Sequence, residues 1–123
     1  MTVTDPPPSK AADARAAAKA FVATLDPRPA AATIQDLLLL VSELVTNALR
    51  HAGAVTALAF GADDATLYVH VADPSPDRPQ QRTPDLRGGT GGFGWPVILK
   101  LTEKADIRDH APRGKVIRVS MAR

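Results

Sequence analysis

The chain of 123 residues contains no cysteine, which excludes disulfides and thiolate metal sites. Aromatic residues make up only 4% of the sequence, whereas hydrophobic residues make up 45%. The chain can therefore bury a core, and that core must consist mainly of Leu, Val, Ile and Ala side chains. The length is typical of one compact domain.

Long apolar runs are absent too: none approaches the roughly 18 residues of a membrane-spanning helix, so no membrane association is predicted. Residues 1–10 lack the apolar stretch of a secretory signal, which favours a cytoplasmic protein. The net charge of +2 is small, and its surplus lies in residues 61–123 without a clustered basic stripe. Direct binding of nucleic acid is therefore not expected.

The chain divides into a tail and one domain. Residues 1–10 include three consecutive prolines and are predicted to be a disordered tail, followed by a domain over residues 11–123. Hydrophobic periodicity and turn residues predict the boundaries of its elements. Helices are predicted over residues 11–25, 33–51 and 96–104, and strands over residues 55–60, 67–72, 105–109 and 115–121. Thr33 and Asp36 resemble a capping box at the start of the second helix, and Gly53 is its stop signal.

Residues 73–94 differ in composition from the rest, because they hold five of the eight glycines and four of the eleven prolines. So long a segment without regular structure is typically functional or disordered in a small domain. Its last six residues fit G-x-G-x-x-G, but a loop precedes them and only 29 residues follow. A Rossmann or P-loop fold is therefore excluded in practice, since the first needs a preceding strand and the second a following lysine.

The helix predicted over residues 33–51 has one apolar and one polar face. Eight apolar residues fall on one half of the helical wheel: Ile34, Leu37, Leu38, Val41, Leu44, Val45, Ala48 and Leu49. Glu43 and Asn47, one turn apart, lie on the opposite face. The pattern alone favours a merely solvated face. Leu39 and Leu40 intrude on it, however, and Asn47 is a poor helix former, so the face is predicted to be partly covered.

Residues 42–52 read S-E-L-V-T-N-A-L-R-H-A and closely resemble the N-box of the GHKL ATPase superfamily, which includes histidine kinases, gyrase B and MutL. This short version looks most like the anti-sigma-factor serine/threonine kinases and their actinobacterial relatives. The resemblance implies that Asn47 binds Mg²⁺ through its side-chain oxygen, a hard ligand for a hard ion. It also implies that Glu43 is the catalytic base for an attacking hydroxyl, and that Arg50 and His51 contribute to the ATP site near the phosphates.

Two further stretches match the superfamily. Gly92, Phe93, Gly94 and Trp95 resemble its second glycine box, in which backbone amides at a helix start bind the ATP phosphates. Asp73, at the end of a predicted strand, matches the aspartate that accepts a hydrogen bond from the exocyclic amine of adenine. An aspartate before a proline is otherwise a common turn residue.

The sequence also departs from the superfamily pattern in two places. The usual first glycine box, D-x-G-x-G, reads D-P-S-P-D at residues 73–77. The G-T-x motif before the last strand reads G-K-V at residues 114–116, so the threonine near the adenine is missing. Adenine recognition is expected to survive, because it needs only Asp73 and a water molecule.

The resemblance implies an α+β two-layer sandwich: a mixed, largely antiparallel sheet of four or five strands, with about three helices on one face. Residues 74–94 would form a lid over ATP or ADP and Mg²⁺. The implied reaction is transfer of the γ-phosphate to a serine or threonine of a partner protein, an anti-sigma-factor antagonist, with a sigma factor as a second ligand. Related kinases often dimerise, so a homodimer is one state that the resemblance allows, although the sequence does not settle the oligomeric state.

Two alternatives stay open at this point. The altered first glycine box and the missing threonine favour a nucleotide-dependent partner-binding module with little or no kinase activity. The other alternative is an α+β domain that binds no nucleotide and whose motifs are coincidental.

Overall fold

A computed structural model describes residues 1–77, 94–110 and 113–123. Within these residues the chain forms three helices and five strands. The helices are α1 (Ala11–Val22), α2 (Ala31–Ala52) and α3 (Gly94–Leu101). The strands are β1 (Thr2–Val3), β2 (Ala57–Ala62), β3 (Thr66–Asp73), β4 (Lys104–Asp109) and β5 (Lys115–Ala122).

The five strands form one sheet in the order β1-β2-β3-β5-β4, and each neighbouring pair is antiparallel. The predicted α+β sandwich is therefore confirmed, with a sheet that is antiparallel throughout the described strands. Asp73 at the end of β3 lies directly opposite Lys115 at the start of β5.

The core lies between the helices and one face of this sheet. Alternate residues of β2, β3 and β5 point into it, and all of them are buried: Leu58, Phe60, Leu67, Val69, Val71, Ile117, Val119 and Met121. Phe60 stacks on Phe21 of α1 with ring centroids 5.3 Å apart. The core is mainly aliphatic, as the composition predicted.

Helix α2 is the central helix of the second layer. Its residues Leu37, Leu40, Val41, Leu44, Val45 and Ala48 are buried. By length and composition α2 could cross a membrane, with a mean hydropathy of 1.3. A core helix passes the same test, and here the apolar residues pack against α1, α3 and β3. Of the two leucines that intrude on the polar face, Leu40 is fully buried and belongs to the core, whereas Leu39 is exposed.

The start of α2 differs from the prediction. The helix begins at Ala31, two residues earlier than expected, and its N-cap is Ala30, which makes no side-chain cap hydrogen bond. Thr33 and Asp36 therefore lie inside the helix and do not form a capping box at its start. The alanines before Thr33 have high helix propensity and extend the helix towards the N-terminus. The predicted stop at Gly53 is confirmed, since this residue has φ 82° in the left-handed region.

The N-terminal residues also differ from the predicted disordered tail. Thr2 and Val3 pair with β2 as an edge strand, and the Thr4 amide donates to the Leu58 carbonyl at 2.8 Å. Threonine and valine are β-branched, which suits them to a strand, and the unpaired edge of β2 supplies their hydrogen-bonding partners.

The remaining boundaries differ by a few residues. Helix α1 ends at Val22 instead of 25, and α3 covers Gly94–Leu101 instead of 96–104. Helix α3 ends earlier because the chain enters the sheet: the Glu103 amide donates to the Ser120 carbonyl at 2.8 Å. Pro96 lies in the first turn of α3, where a missing N–H is tolerated.

Candidate functional site

Helix α2 presents Glu43 and Asn47 one turn apart, and both side chains are half-buried. The i, i+4 spacing places them on the same face of the helix. Their partial burial agrees with the prediction that this polar face is covered.

Gly94, the first residue of α3, provides that cover. A Cβ built on Gly94 would lie 2.6 Å from Asn47 Oδ1 and 3.1 Å from Glu43 Oε2. The separation of 2.6 Å is shorter than real Cβ contacts, and 3.1 Å is unusually tight, so a residue larger than glycine would fit here only with a shift of Asn47. The fold thus brings Glu43, Asn47 and Gly94, three of the residues predicted for the site, to one point.

The first turn of α3 has properties that suit an anion. The leading N–H groups of a helix have no partner within the helix, and the helix dipole gives this end partial positive charge. The first turn of α3 contains no acidic side chain. Trp95 is half-buried and packs on the core, while Ile98 one turn later is fully buried and anchors the helix. Gly92 and Phe93, also predicted to bind phosphate, lie outside the described residues, as does most of the predicted lid.

Arg50 and His51 occupy the last turn of α2, and both are exposed. Their position about one turn beyond Asn47 does not by itself place them at the phosphates. Their role near the phosphates therefore stays a prediction.

Asp73 lies at the end of β3, on the sheet face that carries the core. Although it is charged, it is only 3% exposed. Its Oδ1 accepts a hydrogen bond from the Ser75 amide at 2.9 Å and one from Lys115 Nζ at 3.0 Å. A buried carboxylate needs such partners, because desolvation without them costs several kcal/mol.

Lys115 is the residue that sequence reasoning missed at this site. Its ammonium pairs with Asp73 and also donates to the Ser75 carbonyl at 3.1 Å. The sequence signal was available, since Lys115 stands where the superfamily pattern has a threonine near the adenine. Its partner, 42 positions earlier in the chain, became evident only from the pairing of β3 with β5.

Gly114 completes this part of the site. It has φ 102°, a conformation that favours glycine, and a Cβ there would collide with the carbonyl oxygen of Asp73. The glycine retained from the G-T-x motif thus allows the start of β5 to approach the end of β3 closely.

The side-chain oxygen of Asn47 fits a magnesium ion, with the Glu43 carboxylate one turn away on the same helix face. Carboxylate and amide oxygens are hard ligands, and Mg²⁺ typically takes one or two protein oxygens while substrate phosphates and water supply the rest. Within the described ranges there is no group of three or more His, Cys, Asp or Glu residues that could hold a metal alone. A single amide oxygen would hold Mg²⁺ only together with phosphate or water ligands.

A separate surface groove lies near the N-terminus, where Met1, Phe21, Leu25 and Tyr68 contribute to its lining. It contains neither Glu43 nor the other residues of the candidate site. Its lining is mostly apolar, with polar groups from Thr2, Tyr68 and His70.

Comparison with known proteins gives an independent finding. A family profile described as "Histidine kinase-like ATPase domain" matches residues 6–121, nearly the whole chain. No curated protein matches the chain. The matched range includes α2, Asp73, the start of α3 and the Gly114–Lys115 turn.

Proposed function

Because this chain belongs to the family of histidine kinase-like ATPase domains, we propose that it is a serine/threonine protein kinase of the anti-sigma-factor type. Family membership makes it an ATP-binding regulatory module. The finer proposal is that it transfers the γ-phosphate of ATP to a hydroxyl of a partner protein. That partner is an anti-sigma-factor antagonist, and a sigma factor is a second ligand.

One observation carries the proposal: Glu43 and Asn47 both approach Gly94 at the start of α3. A carboxylate, an amide oxygen and a helix N-terminus thus share one small volume. Phosphoryl transfer requires a base near the nucleophile, a metal ligand and stabilisation of phosphate charge. These three groups can supply all three requirements.

The reaction assigns a separate task to each residue. Asn47 Oδ1 would hold Mg²⁺, which neutralises charge on the β- and γ-phosphates when bound. Glu43 would orient the acceptor hydroxyl and take its proton. As the new oxygen–phosphorus bond forms, the bond between the γ-phosphorus and the bridging oxygen breaks, and ADP leaves with that electron pair. The backbone amides at the start of α3 would bind phosphate oxygens.

Asp73 would recognise the base at the other part of the site. A carboxylate oxygen accepts a hydrogen bond from the exocyclic amine of adenine. Its burial and its two hydrogen bonds hold the carboxylate in one orientation, which supports this role.

A second candidate function is a partner-binding module that binds nucleotide with little or no turnover. The hydrogen bond from Lys115 Nζ to the Ser75 carbonyl favours it, because it ties the start of the altered first glycine box to β5. In this reading the nucleotide orders the lid, and the protein regulates its partner by sequestration.

The test compares Glu43→Gln with an Asp36→Asn control, which neutralises an exposed carboxylate on the same helix. Labelled ATP and the cognate antagonist are supplied with Mg²⁺, and ADP affinity is measured by calorimetry. We expect Glu43→Gln to lower the labelling rate by about 10²- to 10⁴-fold with ADP affinity retained, and Asp36→Asn to label normally.

Two outcomes would contradict the kinase proposal. If Glu43→Gln labels the antagonist as fast as the unchanged protein, Glu43 is not the base. If the unchanged protein binds ADP but labels no antagonist, the binding module becomes the better description.

Location and assembly belong to the same proposal. A kinase that regulates sigma factors acts in the cytoplasm, and we propose that this one acts as a homodimer. Cell fractionation and light scattering of the purified protein test these two statements.

A further inference from the structure

Strand β4 is an edge of the sheet, because β5 is its one neighbour in the order β1-β2-β3-β5-β4. Among the described strands, none pairs with its other side. The residues of β4 are exposed except Ile107, which is half-buried and packs against the core. An edge strand of this kind offers its N–H and C=O groups to a further strand.

The hydrogen bonds of the β4–β5 hairpin show which residues of β4 face the open side. In an antiparallel pair, the N–H and C=O of one residue point to one neighbouring strand, and those of the next residue point the other way. The His110 amide donates to the Gly114 carbonyl at 3.1 Å, in the same register as the paired residues of β4 and β5. Even-numbered residues of β4 therefore bond to β5. The backbone groups of Ala105 and Ile107 point to the open side.

The side chains on the face of β4 opposite the core alternate in charge. Lys104, Asp106 and Arg108 are positive, negative and positive in turn. Asp106 accepts hydrogen bonds from Arg118 of β5 at 2.8 and 2.9 Å, yet its side chain remains 51% exposed. The Arg108 side chain is 68% exposed, with its Nε 3.9 Å from Asp106 Oδ1. Charges on an edge usually keep other strands away, so a strand that pairs here must match them.

A second copy of β4 matches this charge pattern in one register. When Ile107 faces Ile107 of the second copy, Asp106 stands opposite Arg108 of that copy, and the same pair recurs across the two-fold axis. A shift of two residues either way instead places Asp106 opposite Asp106, or Arg108 opposite Arg108. Opposite charges stabilise a cross-strand pair and like charges destabilise it. Charge therefore favours the register with Ile107 on the axis.

We propose that two copies of this chain associate through their β4 strands in this register, so that two five-stranded sheets become one continuous antiparallel sheet. This inference rests on the homodimer that the proposed function includes, and it identifies the interface. The contact is self-complementary, as a two-fold interface requires. Asp106 keeps its bonds to Arg118, since a carboxylate has enough lone pairs to accept from both arginines.

Helix α3 adds apolar surface beside this edge. Helix α1 contacts β2 and α2 contacts β3, so the helices follow the order of the strands and α3 lies on the β5–β4 side of α2. Leu99 of α3 is 39% exposed. It stands about 140° around the helix from Gly94, which lies against α2, so Leu99 faces away from α2. The two-fold axis is perpendicular to the sheet, so the helices of both copies lie on one face and the second copy covers part of this surface.

The first experiment uses the absence of cysteine from the chain. In the proposed register the two Cα atoms of residue 107 lie about 5.5 Å apart, within the range of a disulfide. We expect Ile107→Cys to form a disulfide-linked dimer under mild oxidation. The control is Ala105→Cys, whose two copies lie four residues apart along the strands, or roughly 14 Å. Its cross-linked yield on a non-reducing gel should be at least about tenfold lower.

The second experiment measures the dimer dissociation constant by sedimentation. Arg108→Asp converts both opposite-charge pairs into like-charge pairs, so the constant should rise at least about tenfold. The control is Arg28→Asp, which makes the same charge change at an exposed residue before α2 and should leave the constant unchanged.

A mixture of two variants separates a charge effect from a folding defect. Asp106→Arg alone should also dimerise weakly. In an equimolar mixture with Arg108→Asp, one copy carries two acidic residues at these positions and the other carries two arginines. Every cross-strand pair is then of opposite charge, so the mixture should form a heterodimer. If Asp106→Arg does not fold, the cysteine variants decide the question.

The outcomes that contradict this inference differ from those that contradict the proposed function. If the protein dimerises but Arg108→Asp dimerises equally well, or if Ile107→Cys cross-links no better than Ala105→Cys, the β4 interface is wrong and the homodimer stands through another surface. If the unchanged protein is monomeric up to millimolar concentration, both the interface and the homodimer are wrong. Phosphate transfer to the antagonist is measured separately and decides the kinase proposal in either case.

Discussion

Gly94 shows how much a single residue contributes to the site. The sequence suggested that a glycine here permits close approach of a phosphate. The structure shows that the close neighbours already include the side chains of Asn47 and Glu43. A Cβ at this position would therefore displace the Asn47 side chain even before any ligand binds.

Gly94→Ala should weaken binding of Mg²⁺-ADP by at least about tenfold. The added methyl group would lie 2.6 Å from Asn47 Oδ1 and must displace that side chain. Calorimetric titration measures the effect. The control is Gly61→Ala, whose methyl would meet the end of the flexible, exposed Met1 side chain at 3.2 Å. Normal affinity in Gly94→Ala would show that Asn47 does not hold the metal–nucleotide complex in this geometry.

Gly114→Ala should destabilise the fold by about 1–3 kcal/mol or more, since it combines an unfavourable φ with a steric collision. Gly53→Ala is the matched control: Gly53 also has a positive φ, 82°, but a Cβ there meets nothing within 4 Å. Urea unfolding measures both variants. Equal losses of unfolding free energy in Gly114→Ala and Gly53→Ala would mean that the steric collision with the Asp73 backbone adds no destabilisation.

At the scale of elements, the start of α2 leaves room for stabilisation. Its N-cap, Ala30, has extended backbone angles but no capping side chain, and the first turn holds no acidic residue. Ala30→Asp should raise the free energy of unfolding by about 0.5–2 kcal/mol. The carboxylate can accept hydrogen bonds from the free N–H groups of the first turn, and its negative charge interacts favourably with the positive end of the helix dipole. Ala32→Asp, inside the first turn, is the control that keeps the charge without the capping geometry. A larger gain in the control would refute the capping explanation.

His70, on β3, makes the sheet sensitive to pH. Its partial burial lowers its pKa, as do the charges of Arg118 and the amino terminus, while Asp106 opposes them. In the unfolded chain, His70 takes up a proton near pH 6.5, whereas in the folded protein it takes up that proton only at a lower pH. The His70 contribution to stability is thus lost as pH falls from about 6.5 towards the lower folded pKa.

His70→Gln should remove this part of the pH dependence. Urea unfolding of both proteins between about pH 7.5 and 5 measures it, and their difference near pH 7.5 is the reference, because His70 is uncharged there. A stability difference that stays constant over this range would show that the pKa of His70 is not shifted by folding.

At the scale of the whole molecule, nucleotide binding should stabilise the domain against unfolding. Mg²⁺-ADP at about 100 times its dissociation constant adds about 2.7 kcal/mol, which raises Tm by several degrees in a chain of this size. Asn47→Ala should abolish the part of the shift that depends on Mg²⁺, whereas Thr46→Ala, the neighbouring half-buried residue, should keep it. An identical shift in both variants would exclude Asn47 as a metal ligand.

Much of the architecture followed from local patterns. Periodic Leu and Val residues marked α2 and the strands, and Gly53 marked the end of α2. The N-terminal strand was not predicted, because a segment as short as Thr2–Val3 forms a strand only when it can pair with the open edge of another strand, here β2. The cap at Thr33 was wrong because alanine propensity extended the helix past it.

The sequence by itself determined the aliphatic core, which follows from composition, and the shared helix face of Glu43 and Asn47, which follows from their spacing. The α+β class followed from the hydrophobic periodicity of the segments together with the family resemblance. Only the tertiary structure decided that Gly94 lies against that pair and that Lys115 neutralises Asp73. Both contacts join residues more than 40 positions apart, as the 42-residue separation of Asp73 and Lys115 illustrates. The conformational preferences of neighbouring residues carry no information about such long-range pairs. The register of the strands and the packing of the helices bring their members together.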